Sequence, residues 1–333
     1  LDLLLAHFVS ERPVDVMDMG RQFFSHRSHV PEACLFLASI MCMGPWYKGV
    51  RRGGRKYRAY KAARFIPPAP FETAVDTDEL LRAIIEFLRI WREQSPSKVS
   101  TSWGTIYRDE RFPSIHQANL GWVASLPDEG SAKILADLAS AFHGTAVRHQ
   151  ALLFEDAAEA YAVQESLARQ GFRPMSELAM AKVGLPACIV NPEVEIRLAA
   201  EDATADDFRI LKIATEAAMG YSPQVVDQLW GFWHERSRRV GMQPYVAYLN
   251  GIPAGTISVW ARGPFAWIDD VATHPDFRLR GIARTMTFEA CRRAAMARCE
   301  WVLLTADLFD TPKEMYRTLG FEPVGEVRGF VRE

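Results

Sequence analysis

The 333-residue sequence has no uninterrupted apolar run of the roughly 18–20 residues that a membrane-spanning helix needs. It has no GxGxxG after an early strand, which removes the usual dinucleotide-binding fold from consideration. The five cysteines, Cys34, Cys42, Cys188, Cys291 and Cys299, are odd in number and form no CxxC pair. That usage argues against a disulfide framework and against a zinc site, so no metal is expected, and it suits a reducing compartment. The net charge is only −2, so the molecule as a whole offers no field to attract nucleic acid. The opening segment LDLLLAHFVSERPVD carries acids where a signal peptide needs a basic region. The expectation is a cytoplasmic protein with no membrane contact.

What is present falls into three blocks. Residues 1–72 have poor periodicity, and residues 1–64 hold 11 Lys/Arg against 5 Asp/Glu. The basic run from Lys48 to Arg64 is read as a solvated leader closed by the proline linker FIPPAP. A nucleic-acid patch is the alternative, but no binding fold accompanies the charge. Residues 73–186 alternate helical and strand patterns: helix 80–94, strands WGTIYRD and NLGWVAS, helix 131–142, strand HQALLFED, helix AEAYAVQESLARQGF and strand SELAMAKVG. Residues 187–333 run strand VEIRLA, helices 204–219 and 222–240, then strands PYVAYL, AGTISVWA and FAWIDDVAT. Helix 279–298, strand WVLLTA, helix 311–319 and strand GEVRGFVR follow. Ser222-Pro223, the pair Thr204 and Asp207, and the run Thr311-Pro312-Lys313-Glu314 read as helix caps. Both blocks end alike, SLARQGFRPMSE against YRTLGFEPVGE, which predicts an internal duplication.

The densest chemistry lies in residues 271–297, where a strand enters the turn Arg278-Leu279-Arg280-Gly281-Ile282-Ala283 and then a long helix. The first N–H groups of a helix have no internal acceptor, and the helix dipole is positive at that end. With flanking arginines, such a turn is an anion site suited to a pyrophosphate. The second notable run is Tyr316-Arg317-Thr318-Leu319-Gly320-Phe321.

These two runs, in this order and about 35 residues apart, resemble the signatures of the GNAT superfamily of N-acetyltransferases. RLRGIA is similar to that family's Gln/Arg-x-x-Gly-x-Gly/Ala turn, and the tyrosine followed by Gly-Phe is similar to its second signature. The resemblance implies an α/β (α+β) chain of two tandem GNAT-like domains, each a mixed, mostly antiparallel twisted sheet flanked by helices. The N-terminal copy, 73–186, is degenerate, because Pro127-Asp128-Glu129-Gly130-Ser131 stands where its turn belongs and its acids repel a pyrophosphate. The catalytic copy is 187–333.

The resemblance further implies acetyl-CoA as co-substrate. Val271, Ala272 and Thr273 would meet the pantetheine arm, and Arg278, Leu279, Arg280, Gly281, Ile282, Ala283 and Arg284 the pyrophosphate. Tyr316 would be the acid to the leaving thiolate, and Thr273 N–H, with Val271 N–H beside it, the oxyanion donor. Asp269 would be the base acting through water. Alternation along a strand puts Asp269 on one face with Trp267 and Val271, and Asp270 on the other with Ile268. His234 and Glu235 read as a solvated helix face. One departure stands out, since Phe309 occupies the place where the family often has asparagine. Tyr221, Trp230, Trp233 and His234 read as packed side chains before they read as an acceptor pocket. The expected partner is a small-molecule amine acceptor, with homodimerisation left open. The alternative is a non-catalytic acyl-CoA-binding or regulatory protein.

Overall fold

A computed structural model describes residues 76–200 and 202–333, so the leader expected over 1–72 lies outside the described residues. The first described helix, α1 (Thr77–Glu93), starts where the Asp76 side chain accepts the Asp78 N–H. Its apolar positions Leu80, Ile84, Phe87 and Trp91 recur every three or four residues and are buried together. Strands β1 (Ser97–Ser100), β2 (Gly104–Arg108) and β3 (Leu120–Val123) follow, then α2 (Ser131–Phe142), β4 (Gln150–Phe154), α3 (Ala157–Arg169) and β5 (Arg173–Val183).

The second half repeats the plan with additions: β6 (Val194–Leu198), α4 (Asp202–Ala218), α5 (Pro223–Val240), β7 (Gln243–Leu249), β8 (Ile252–Arg262) and β9 (Phe265–Thr273). It ends with α6 (Ile282–Met296), β10 (Trp301–Asp307), α7 (Pro312–Thr318) and β11 (Glu322–Arg332). The α/β fold of two tandem, mostly antiparallel halves is therefore as expected. Two caps are not. Thr204 lies inside α4, which begins two residues earlier. At α7 the Thr311 side chain accepts no capping bond and its hydroxyl turns to Asp310 Oδ1 instead, so the Thr311–Glu314 box does not form. Ser222 does cap, accepting the Val225 N–H ahead of Pro223.

All the strands join one sheet in the order β1-β2-β3-β4-β11-β5-β10-β9-β8-β7-β6. Each half contains one parallel neighbour pair, β3 with β4 and β9 with β10. The last strand of each half crosses into the other: β11 pairs with β4, β5 pairs with β10, and β5 and β11 pair antiparallel at the centre. Helices α4 and α5, with α1 at the junction, cover one face, where Phe87, Phe208, Trp233, Trp260 and Trp267 share a core. Helix α6 and Tyr316 of α7 cover the opposite face of the C-terminal half. Helices α2 and α3 cover the N-terminal half.

Candidate active site

The site begins where β9 and β10 part. Their parallel pairing runs from Phe265–Trp301 to Trp267–Leu303 and then stops, although both strands continue. Residues 268–273 of β9 thus keep their bonds to β8 on one edge and leave the other edge open. Unpaired backbone groups along an open strand edge are a template for an extended partner. Val271 and Thr273 lie on this stretch, and Ala272 pairs with Thr256.

A β-bulge interrupts the same stretch. Between the Thr256–Ala272 and Ser258–Asp269 pairs, the single residue Ile257 faces both Asp270 and Val271. The extra residue is absorbed by Asp270 in the left-handed region, at φ 53°, a conformation aspartate tolerates better than most side chains. This corrects the alternation expected from sequence. Asp270 turns to the α4 face, where Lys212 Nζ meets its Oδ1 at 2.5 Å. Val271 packs with Ile268 in the core beneath α6, away from Trp267. A bulge flips every side chain beyond it, which the strand pattern alone does not reveal.

Asp269 and Tyr316 line one cavity of about 70 Å³, together with Val271, Thr305, Glu177, Arg92 and the aromatic side chains of Phe87, Trp91 and Trp267. Asp269 keeps part of its surface open to this space, yet protein surrounds it closely. Burial and, next, the neighbouring Asp270 carboxylate push its pKa up to about 7, against the Asp270 N–H that it accepts at 2.8 Å. Tyr316 is buried with its ring edge-on to Phe321 at 5.7 Å, and burial followed by the Asp269 charge raises its pKa. Lys212 is buried between Asp270 and Glu216. Burial acts to lower its pKa, and the two carboxylates outweigh that and raise it. Glu216 is pushed up to about 7 by burial, partly offset by Lys212. A carboxyl with pKa near neutrality and a protonated phenol lining one cavity are groups able to accept and to donate a proton at pH 7.

The turn before α6 has the shape its sequence predicts. The helix itself starts at Ile282, three residues later than the expected 279, and the preceding residues form the loop. Leu279 (φ 61°) and Gly281 (φ 75°) are both left-handed, and Gly281 heads the helix with no side-chain cap. The first-turn N–H groups of Ile282, Ala283 and Arg284 therefore face outward without helical acceptors. Arg280 and Arg284 are exposed, whereas Arg278 is half-buried with its Nε enclosed and without a partner. Asn191 braces the turn, donating from Nδ2 to the Arg280 carbonyl at 2.9 Å. An uncapped helix start and an orphaned guanidinium nitrogen in one turn fit a phosphate group. Phe309, where asparagine was the family pattern, is 77 % exposed, and Asp307 Oδ1 holds this loop by accepting the Phe309 and Asp310 N–H groups.

Other sequence candidates lie elsewhere. His234 stacks on Trp230 at 5.0 Å, and Glu235 pairs with Arg111 and Arg239. Trp233 stacks on Phe208 at 5.0 Å in the core, and Trp230, Trp233 and His234 also line a second cavity of about 570 Å³. Sequence reasoning missed Lys212, Arg92 and Glu177, because only the folded sheet brings α1, α4 and β5 to β9. Among the described residues, no cluster of three or more His, Cys, Asp or Glu could hold a metal ion, and no helix is long and apolar enough to cross a membrane.

Comparison with known proteins agrees with this geometry. Residues 241–323 match the family model described as an acetyltransferase (GNAT) domain. No curated protein matches the chain in sequence. Among solved structures, a conserved protein of unknown function from Staphylococcus epidermidis superposes with a TM-score of 0.57 at 18% identity, over 71% of this chain and 94% of that one. A GCN5-related N-acetyltransferase from Kribbella flavida superposes with a TM-score of 0.54 at 15% identity, over 78% and 96% of the two chains. These similarities concern the fold, and acyl-CoA-dependent acetyl transfer is the general activity that the fold and the domain match support. The family match spans the parted strands, the glycine turn and Tyr316, so residues 241–323 are similar to a GNAT acetyltransferase domain.

Proposed function

We propose that this protein is an N-acetyltransferase that moves an acetyl group from acetyl-CoA to a primary amine of a small molecule, at a single site in residues 187–333. Residues 73–186 form a degenerate copy without a co-substrate site. The observation that carries the reading is that Asp269 and Tyr316 line one cavity at the open edge of β9. The residues present fit the co-substrate: Leu279 to Arg284 offer an uncapped helix start, and Arg278 a buried nitrogen lacking a partner. Arg278, Arg280 and Arg284 supply charge to the pyrophosphate, and Val271, Ala272 and Thr273 give the extended backbone beside which pantetheine would lie. Acetyl-CoA supplies the acetyl group as a thioester, whose carbon–sulfur bond breaks as the carbon–nitrogen bond forms.

The protein's own part is proton traffic and positioning. Asp269, with its pKa near 7, accepts the amine proton through water. The N–H groups of Val271 and Thr273 are the backbone donors for the developing oxyanion. Tyr316, protonated because burial raises its pKa, donates to the departing thiolate. Among the described residues Cys188, Cys291 and Cys299 are free, which suits the cytoplasm.

Mass-detected acetyl transfer across a panel of amines tests this reading. Turnover by the wild type is expected, with Tyr316→Phe lowering it at least tenfold, within the range of general-acid contributions. Unchanged turnover in Tyr316→Phe would remove that assignment. Calorimetric binding of acetyl-CoA with no transfer to any amine would favour the non-catalytic acyl-CoA-binding alternative.

A further inference from the structure

Four cationic side chains are buried among the described residues: Arg92, Lys212, Arg236 and Arg328. Lys212 has Asp270 at 2.5 Å, Arg328 has Glu326 at 2.8 Å, and Arg236 has Asp109 at 3.9 Å. Arg92 differs. It is 3% exposed, and its contacts are the Leu88 carbonyl of its own helix, at 2.7 Å from Nη1, and the Trp122 ring, at 5.4 Å. Its Nε is buried without a partner, and no carboxylate of the described residues reaches it within ion-pair distance. Burial lowers its pKa only to about 10, so it stays charged at neutral pH. A desolvated guanidinium without a counter-ion is costly, and folded proteins seldom keep one unless something completes it.

Arg92 also lines the cavity that holds Asp269 and Tyr316. It comes from the last turn of α1, in the N-terminal half, and reaches the site because α1 lies across the junction. We propose that the acceptor is a small zwitterion of the amino-acid class, its amine held at Asp269 and its carboxylate on Arg92. This rests on the acetyltransferase reading of the same cavity. A planar carboxylate matches the guanidinium fork and supplies the missing counter-ion. Phe87, Trp91 and Trp267 wall the space and suit a short methylene stem. Glu177 is the competing group: it lines the cavity and is the carboxyl with the strongest pull on Arg92. Burial raises its pKa, so it can take up a proton when an anion enters beside it.

The test uses the full chain and acetyl-CoA with three sets of unbranched acceptors of matched length: amino acids, n-alkylamines and α,ω-diamines. The wild type is expected to acetylate at least one amino acid with kcat/KM ten times or more above the alkylamine and diamine of equal length. Arg92→Met should erase that advantage through KM, with kcat/KM for amino acids falling at least ten times further than for alkylamines. Its melting temperature should hold or rise, because an unpaired buried charge has been removed. A wild type that prefers alkylamines or diamines overturns the proposal without recourse to any variant. Equal loss across all acceptors in a folded Arg92→Met protein does the same. Acetyl-CoA binding with no amine acetylated overturns the acetyltransferase reading as well, whereas transfer without amino-acid preference overturns this inference alone.

Discussion

The C-terminal half of the sheet repeats the plan of the N-terminal half with additions, and the shared elements differ where chemistry would occur. In the C-terminal half β9 and β10 part after Trp267–Leu303, and the edge from 268 to 273 lies open. In the N-terminal half the parallel pair β3 and β4 stays zipped to its last residues, Val123 with Phe154, and the Glu155 N–H to Val123 carbonyl bond extends the seam. Both helices after these strands begin at a glycine with positive φ, Gly130 and Gly281. Gly281 has Arg280 and Arg284 beside it, whereas Gly130 follows Asp128 and Glu129. Four residues before the closing Gly-Phe stands Tyr316 in one half and the fully buried Leu167 in the other. β9 carries a bulge, and β3 pairs with β2 without a register shift. A GNAT-like layout is therefore not a site. On the proposed reading, the parted strands, the bulge, the charge at the turn and the hydroxyl make one.

The comparison can be broken most severely at the base. Asp269→Asn should lower kcat by about 10²–10⁴-fold, the usual worth of a general base. The wild-type kcat/KM should rise with pH through a limb near 7, because the base acts only when ionised, and Asp269→Asn should abolish that limb. Linkage gives a second readout. The folded state holds the Asp269 proton more tightly than the unfolded chain does, so this group's contribution to stability falls as pH climbs from the ordinary carboxylate range to about 7. The unfolding free energy of Asp269→Asn should be flatter across that window, and an unchanged pH slope would refute the raised pKa.

Next in size is the bulge. Lys212→Met leaves the Asp270 carboxylate buried without its partner, and loss of a buried pair by this route costs about 3–5 kcal/mol. Denaturant unfolding should show that loss, with acetyl transfer falling alongside it. A smaller loss would mean that the left-handed Asp270 does not depend on Lys212. Mildest is the glycine swap. Gly281→Ala and Gly130→Ala each force a side chain into positive φ, at roughly 1 kcal/mol or more, with open space at Gly130 and only an ordinary contact, Asn191 Cβ at 3.8 Å, at Gly281. Acetyl-CoA affinity should fall only in Gly281→Ala. An equal fall in both would contradict a single site.

Local signals made much of this legible. Helix limits followed from apolar spacing and, at Ser222, from a cap, and the glycine turn stood out because arginines flank a residue free to take positive φ at a helix start, a combination suited to an anion. Tyr316-to-Phe321 was marked by its resemblance to the second GNAT signature, and Tyr316 lines the cavity with Asp269. The rest was hidden because it is non-local. The exchange of β5 and β11 pairs residues about 150 apart, and no periodicity records which edge a strand will choose. The bulge at Asp270 inverted a face assignment that strict alternation made look secure. Arg92 read as one more charge near the end of an amphipathic helix until the fold enclosed it without a counter-ion. Thr311 looked like a cap, and Asp310 took its hydroxyl instead.

The central claim is that two copies of one layout share one co-substrate site. Calorimetric titration of the full chain with coenzyme A, repeated on the double variant Arg278→Glu/Arg280→Glu, tests it most directly. The account predicts one molecule bound per chain by the wild type and none by the variant under the same conditions. Two molecules per chain, or one that survives the charge reversal, would contradict it.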